Sequence, residues 1–269
     1  MRPGTDVLDR PLTLYTPILL NLIRRRGGEP HLTLASTATW LDEEARRQED
    51  QQVNALLTQH GLMGPRGLDR DLLGLVESVA QPNIEYYGWF EGRFPGAPAN
   101  FAVFAGSGRG GAFIAVRDLG TDAVTLAAER PEELLQGFLN QIPQVRPAQG
   151  QPLVVGKSEL TGDRRSRDDD DVSIMRPVQG RATAGASPVH EVKRVMSSER
   201  VAAGSLYVAA RSRAGTRRRS ERPLNFIDTP QGRWLMEERP GRGDPLIVFT
   251  PATPQVIGER LRNAQSALV

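Results

Sequence analysis

The chain has 269 residues, enough for one large domain or two small ones with a sizeable hydrophobic core. Its 34 basic and 32 acidic side chains give a net charge of +2, which argues against a surface built mainly to bind nucleic acid. Cysteine is absent, and the histidines His31, His60 and His190 are far apart in sequence. These facts exclude disulfides, thiolate chemistry and cysteine zinc sites, and we expect no metal and no cofactor.

No segment has the pattern of a membrane span or an export signal. The most apolar stretch, Leu12 to Ile23, is interrupted by polar residues and a proline and is followed at once by three arginines. It is shorter than the roughly 20 apolar residues that a membrane-spanning helix needs. It also lacks a small-residue cleavage site. We therefore expect a soluble, cytoplasmic protein with no membrane partner.

The first 80 residues are predicted to be mainly helical. The residues from Thr39 to Asp42 have the pattern of a capping box, with Asp42 at the third helical position, and Gly61 is a typical residue after a helix end. The predicted elements are a short helix or strand at 12–24, a strand at 31–35, and helices at 39–60 and 69–80.

The rest of the chain contains the same order of elements twice: four short β-rich runs and then an amphipathic helix opened by proline. The first unit has strands at 84–91, 100–105, 112–117 and 123–127 and a helix at 131–142. The second has strands at 205–211, 222–228, 233–238 and 246–250 and a helix at 254–268. This order predicts an α+β fold with a quasi-two-fold duplicated antiparallel sheet (β-β-β-β-α twice) and helices packed on one face.

Residues 1–269 are predicted to form a single domain, with an N-terminal half at 12–145 and a C-terminal half at 187–269. The segment 146–186 between them is polar and rich in Gly, Ala, Pro and Ser, so we expect a flexible linker. It contains four consecutive aspartates, Asp168 to Asp171. A calcium loop needs spaced ligands, so this run indicates a solvated acidic patch.

Two glycine motifs resemble phosphate-binding loops but lack the required context. Gly106 to Gly111 matches G-x-G-x-x-G, yet a strand follows where a dinucleotide-binding motif needs a helix, so the motif predicts a hairpin loop. Gly150 to Ser158 ends in Gly-Lys-Ser, but the residues between its glycines have the composition of a strand. Neither motif predicts a nucleotide site.

A nucleic-acid role is one alternative. Residues 211–219 contain five arginines in a turn, and 39–80 could form a helix-turn-helix followed by a β-wing. Against this, the helix 69–80 carries three acidic residues and only one basic residue, the reverse of what a recognition helix needs. A DNA-binding regulator with a winged-helix-like N-terminal part is therefore the alternative to the main prediction.

Aromatic side chains are concentrated in the first predicted strand of the sheet. Tyr86, Tyr87, Trp89 and Phe90 place rings on both faces of that strand, and Trp234 adds another ring in the second unit. Such rings either pack under helices or form a protein-binding surface together with arginine. The sequence leaves both interpretations open.

The C-terminal unit resembles the EspG family, the ESX (type VII) secretion-associated proteins of actinobacteria. The resemblance rests on an apolar strand, an Asp-Thr pair, a two-residue spacer, a Gly-Arg pair and an aromatic residue. These are Asp228, Thr229, Gly232, Arg233 and Trp234, within the stretch 223–236. It extends over about 194–265. We interpret the motif as mainly structural: Asp228 and Thr229 would shape a turn in which Gly232 is free to adopt a positive φ.

The resemblance implies a cytosolic, non-enzymatic chaperone. Such a protein binds the tip of the PPE or PPE-like subunit of a PE–PPE heterodimer, keeps it soluble and directs it to its ESX system, and we expect a monomer or weak dimer. The predicted partner contacts are Tyr87, Trp89, Arg93, Phe94, Trp234 and the last helix. Residues 87–91 also fit the Tyr-x-x-x-Glu export tag of secreted cargo, but that tag follows a helical hairpin, whereas here it falls in a predicted strand.

Overall fold

A computed structural model describes residues 10–35, 41–161 and 187–268. The described residues form an eleven-stranded antiparallel sheet and a separate two-stranded one. The strands are β1 (Leu12–Tyr15), β2 (Met63–Gly64), β3 (Gly67–Leu68), β4 (Ile84–Gly92), β5 (Asn100–Gly108), β6 (Gly111–Asp118), β7 (Ala123–Glu129), β8 (Leu153–Gly156), β9 (Ala202–Arg211), β10 (Arg217–Arg219), β11 (Leu224–Thr229), β12 (Gly232–Arg239) and β13 (Leu246–Pro251). The helices are α1 (Thr16–Arg25), α2 (Glu43–Gln59), α3 (Arg70–Ala80), α4 (Leu134–Asn140), α5 (Lys157–Thr161), α6 (Pro188–Ser197) and α7 (Pro254–Ser266), and a 3₁₀ turn (Pro131–Glu133) precedes α4.

The strand order repeats outward from the centre of the large sheet. Strands β4 and β9 lie side by side, with Tyr87 opposite Tyr207. Outward from β4 come β5, β6, β7 and β1; outward from β9 come β11, β12, β13 and β8. Each half therefore begins with a short edge strand and a helix and ends with four main strands and a helix; the C-terminal half has the additional short strand β10, which pairs with β9. All eight strands predicted for the two units are present, and the α+β class is confirmed.

Helices cover both faces of the sheet, not one as the sequence predicted. The two helices that end the repeats, α4 and α7, do share a face, where they pack on residues such as Tyr86, Phe90 and Leu206. Helices α1, α2 and α3 cover the opposite face of the N-terminal half around Tyr87 and Phe104. Helix α6 covers that same face of the C-terminal half. The second layer of helices forms because the strands carry apolar residues on both faces of the sheet.

The helix ends follow local capping chemistry. The Asp42 side chain accepts a hydrogen bond from the Ala45 amide at 2.7 Å, so it is the N-cap of α2, and the helix begins later than predicted. Thr39, the predicted cap, lies outside the described residues. Asp69 caps α3, and Thr253 caps α7 with proline at its first position. Each cap satisfies amides that would otherwise lack partners.

Two predicted segments differ in the structure. Residues 31–35 form a turn instead of a strand, because the Leu34 amide donates to the His31 carbonyl at 2.8 Å. The first part of the predicted linker is not a linker: β8 pairs with β13 at the edge of the sheet, and Leu153 and Val155 are buried. The residues 162–186, with the Asp168 to Asp171 run, lie outside the described residues.

The two glycine motifs have the structures that the sequence predicted for them. Gly106 to Gly111 forms the β5–β6 hairpin, with Gly108 paired to Gly111. Gly150 to Ser158 contains strand β8 and continues into α5, a helix of only five residues. Neither segment is a phosphate-binding loop joined to a long helix.

Candidate functional site

The central strands are covered unequally on their two faces. On the α4–α7 side, the β9 residues Ala202, Leu206 and Val208 are buried. On the other side, residues of the same strands are only half-buried, in the gap between the α1–α3 helices and α6; they are Trp89, Ala203, Ser205, Tyr207 and Asn225. In this gap the side chains of Trp89 and Tyr207 reach solvent.

Three aromatic rings pack together at this gap. Tyr87 and Tyr207 stack across the β4–β9 pair, with ring centroids 5.3 Å apart. Trp89 meets Tyr207 edge-on at 5.9 Å, and the Arg219 guanidinium lies 5.3 Å from the Tyr207 ring centre. The packing fixes the orientation of both half-exposed rings. Rigid Trp and Tyr rings beside Arg are the residues that most often dominate protein–protein binding energy.

A groove of about 520 Å³ adjoins the rings. Its side chains mix polar and apolar groups: Trp89, Glu91, Asn100, Leu119 and Ser205 line it, with the backbone of the neighbouring strands. The Ser205 hydroxyl donates to the Asn225 side-chain oxygen at 2.7 Å. We call this groove, with the adjoining Tyr207 and Arg219, the aromatic groove. Its open shape and mixed lining suit a protein segment better than a small molecule enclosed on all sides.

The structure separates the predicted partner contacts. Trp89 lines the aromatic groove. Arg93 follows β4 immediately; its side chain is 75% exposed and pairs with Glu199. Tyr87 is 0% exposed, Phe94 7% and Trp234 5%, so these three predicted contact residues are buried and offer little surface to a partner.

The physical reason is local packing. Tyr87 shares a sheet face with Trp89 but lies beneath the α1–α3 helices. Phe94 packs edge-on against Phe101, and Trp234 packs against Phe249 beneath α6. The last helix, α7, packs on the opposite face of the sheet from the aromatic groove.

The Asp-Thr…Gly-Arg motif forms a tight turn between β11 and β12. The Arg233 guanidinium donates two hydrogen bonds to the Asp228 carboxylate, at 2.7 and 2.8 Å, and both side chains are buried. The Thr229 hydroxyl donates to the Gly232 carbonyl at 3.1 Å. Gly232 has a φ of 123°, and a Cβ there would lie 2.7 Å from the Pro147 carbonyl oxygen. These contacts support the structural interpretation of the motif.

Sequence reasoning missed Tyr207 and Arg219 as site residues. The available signal was the alternation in β9, where small or apolar residues face one side and Ser205 and Tyr207 face the other. In the sequence, Arg219 is one of five arginines between residues 211 and 219, and its position there does not indicate a contact with Tyr207.

Sequence reasoning also missed a buried cluster built around His31. Glu85 lies 3.5 Å from the His31 Nε2 atom and accepts hydrogen bonds from Arg217 at 2.6 to 3.1 Å. The His31 ring stacks on Phe104 with centroids 4.0 Å apart. These residues are far apart in sequence, so spacing gave no indication of the contact.

Burial sets the protonation of this cluster. Burial lowers the pKa of His31 below its ordinary value, and the nearby Glu85 only partly offsets this. Burial by itself would raise the pKa of Glu85, but hydrogen bonds from His31 and Arg217 bring it below its ordinary value. The cluster therefore holds an ionised carboxylate against Arg217 and a histidine that is neutral near pH 7. It fixes the β9–β10 hairpin beside Tyr87.

Two observations bear on a metal-dependent reaction and on the DNA-binding alternative. Among residues 10–35, 41–161 and 187–268, no group of three or more His, Asp or Glu side chains is placed to hold a metal ion. Helix α3, the proposed recognition helix, packs its apolar side in the core and leaves Asp71 and Glu77 exposed. In the same part of the chain, no helix is both long and apolar enough to cross a membrane.

Comparison with known families matches residues 22–263 to the EspG family. The chain belongs to the EspG family. Among solved structures, the fold is similar to the Mycobacterium tuberculosis type VII secretion system chaperone EspG5, solved in complex with the PE25–PPE41 dimer. The TM-score is 0.61 at 16% sequence identity, and the similarity covers 97% of each chain. Among curated proteins, none matches this chain. The EspG fold thus extends across both halves, beyond the C-terminal motif that indicated it.

Proposed function

We propose that this chain is a cytoplasmic chaperone of a type VII secretion system. It binds the PPE or PPE-like subunit of a PE–PPE-type heterodimer, keeps that subunit soluble and directs the pair to export, without catalysing a reaction. The observation that carries the proposal is the EspG family match over residues 22–263. Support comes from the similar fold of EspG5, a chaperone solved with PE25–PPE41.

The aromatic groove is the surface we propose for this partner. The family resemblance implies a PPE tip with exposed apolar side chains, and covering them requires apolar contact area on the chaperone. Trp89 and Tyr207 supply that area, while Arg219, Glu91 and Asn100 provide a polar rim. Arg93, at the end of β4, extends the rim. Because the rings are held by mutual packing, little side-chain entropy is lost on binding.

Co-expression with the PE–PPE pair encoded beside the gene tests the function. We expect a complex that survives affinity purification and size-exclusion chromatography, and a PE–PPE pair that is less soluble without this chain. Failure of every neighbouring pair to form such a complex would refute the chaperone proposal. Salt-dependent binding of duplex DNA by the free chain would instead favour the DNA-binding alternative.

Substitutions in the groove test the surface. Trp89→Ala and Tyr207→Ala should each weaken PE–PPE binding about thirty-fold, the effect of losing a hot spot of about 2 kcal/mol. Tyr15→Ala is the matched control, because Tyr15 is 68% exposed on the edge strand β1, away from the groove. Calorimetry gives the affinities and thermal melts confirm folding. Equal effects of all three substitutions would reject the aromatic groove while leaving the chaperone function standing.

A further inference from the structure

A second groove lies at the opposite end of the central strands. Three loops meet there: the α3–β4 connection, the β5–β6 hairpin and the β9–β10 hairpin. They enclose a cavity of about 740 Å³. Strand β4 has nine residues, so its two ends are roughly 25 Å apart. The aromatic groove lies at the Glu91 end, and this cavity lies at the Asn83 end.

Four arginines line this cavity against a single acidic residue. The arginines are Arg26, Arg109, Arg211 and Arg213, and the acidic residue is Glu77, whose carboxylate lies 3.6 Å from Arg26. Arg109 and Arg213 are exposed and make no ion pair within the described part of the chain. We call this surface the arginine groove. In a chain whose net charge is only +2, it is a local concentration of positive charge.

The loops that carry these arginines are held rigidly. Arg211 donates to the carbonyls of Gly215 and Pro82, at 2.9 and 3.3 Å, so its guanidinium is fixed in place. The hairpin that carries Arg109 touches α3 through two glycines: a Cβ on Gly110 would lie 1.9 Å from the Gly74 carbonyl oxygen. Rigid placement lowers the entropy cost of binding a ligand there.

A neighbouring cavity of about 590 Å³ continues the arginine groove. The two share Gln81 and Arg211, and the second adds Arg217, which the buried Glu85 neutralises. Glu29 also lines this second cavity. The unpaired positive charge is therefore concentrated at Arg109, Arg211 and Arg213.

We infer that the arginine groove binds an acidic segment of a second protein, different from the partner of the aromatic groove. Planar guanidinium groups form paired hydrogen bonds with carboxylates, so spaced Asp or Glu side chains match this lining. Nucleic acid fits less well. The described lining of the larger cavity has no aromatic residue, the rings beside the smaller one, His31 and Phe104, stack on each other with Phe104 fully buried, and Glu77 would face the phosphates. Arg109 and Arg213 lie at the Asn83 end of β4, away from Trp89 and Glu91, so an acidic segment bound there leaves Trp89 and Glu91 open to the other partner.

Fluorescence anisotropy with labelled decaglutamate tests the inference on the free chain. Binding should weaken steeply with salt, and labelled decaglutamine should not bind. The double variant R109E/R213E should bind decaglutamate at least about tenfold more weakly. The matched control R66E/R242E changes the net charge equally at exposed arginines outside the groove and should stay within about twofold.

Further arms distinguish the source of the acidic segment. The variant W89A/Y207A should bind decaglutamate as tightly as the original chain. The original chain in complex with a PE–PPE pair should also still bind decaglutamate. Absence of binding, equal losses in both arginine double variants, or tighter binding of single-stranded DNA or inorganic phosphate would overturn the inference. Displacement of decaglutamate by the PE–PPE pair would assign the groove to that partner and also overturn it. The decaglutamate measurement on the free chain needs no PE–PPE pair, so its result is independent of the proposed function.

Discussion

Replacing Asp228 by alanine leaves the Arg233 guanidinium buried without its carboxylate. The two side chains are only 3% and 4% exposed, and two hydrogen bonds join them. The Arg233 guanidinium also lies 4.0 Å from the centre of the Phe226 ring, so the remaining charge faces an aromatic side chain. Removing one member of a buried ion pair typically costs about 3–5 kcal/mol, because the remaining charge is desolvated and uncompensated.

That cost is large for a protein of this size. With 269 residues, the entropy of unfolding near the midpoint is about 0.56 kcal/mol/K, so the expected fall in Tm is about 5–9 °C. Urea unfolding followed by circular dichroism and tryptophan fluorescence measures the free-energy loss directly. A loss below about 1 kcal/mol for Asp228→Ala would refute the reasoning, since that is the value of an exposed ion pair.

Two comparisons identify the cause of the loss. The double variant D228L/R233M removes both charges and should recover to within about 1 kcal/mol of the original chain, because an apolar pair of similar volume needs no charge compensation. Glu199→Ala removes the partner of Arg93 in an exposed pair and should cost less than about 1 kcal/mol. If the double variant is as unstable as Asp228→Ala, the unpaired charge is not the cause.

Two further predictions concern stability. Gly232→Ala should cost about 3 kcal/mol or more, because its φ of 123° disfavours a side chain and the Cβ would collide with Pro147. Gly215→Ala, at a φ of 84° with open space around it, should cost only about 1–2 kcal/mol in the same urea assay, and equal costs would contradict the collision. Because the folded pKa of His31 is lowered, the unfolded chain binds more protons, so stability should fall as pH drops below about 6.5. His31→Asn should remove that component from unfolding free energies measured between pH 5 and 8, and an unchanged pH slope would refute it.

Local patterns in the sequence were sufficient for most strands and for the helices that end each repeat. The β4–β7 and β11–β13 runs are short and rich in apolar residues between Gly, Pro and Asp turns, and proline and threonine define the start of α7. The pattern of a strand was weaker in residues 146–161 than in these runs. Strand β8 has four residues, and its pairing with β13, not its own composition, holds it in the sheet.

The candidate site depended more strongly on tertiary contacts. The sequence placed Tyr87 and Trp89 together on one strand face but could not tell which ring a helix covers. Tyr207 and Arg219 join Trp89 only because β9 lies beside β4, more than a hundred residues later in the chain.

The length, the charge balance and the absence of cysteine limited the possible chemistry, and the Asp-Thr…Gly-Arg motif indicated the family. The sequence by itself thus determined the eight strands of the two units, the helices that close them, and the turn that Asp228 and Arg233 stabilise. Only the tertiary structure decided which faces the helices cover, where the aromatic groove opens, and that His31, Glu85 and Arg217 meet. The reason is physical: local propensity acts over a few residues, whereas burial depends on which distant segments pack together.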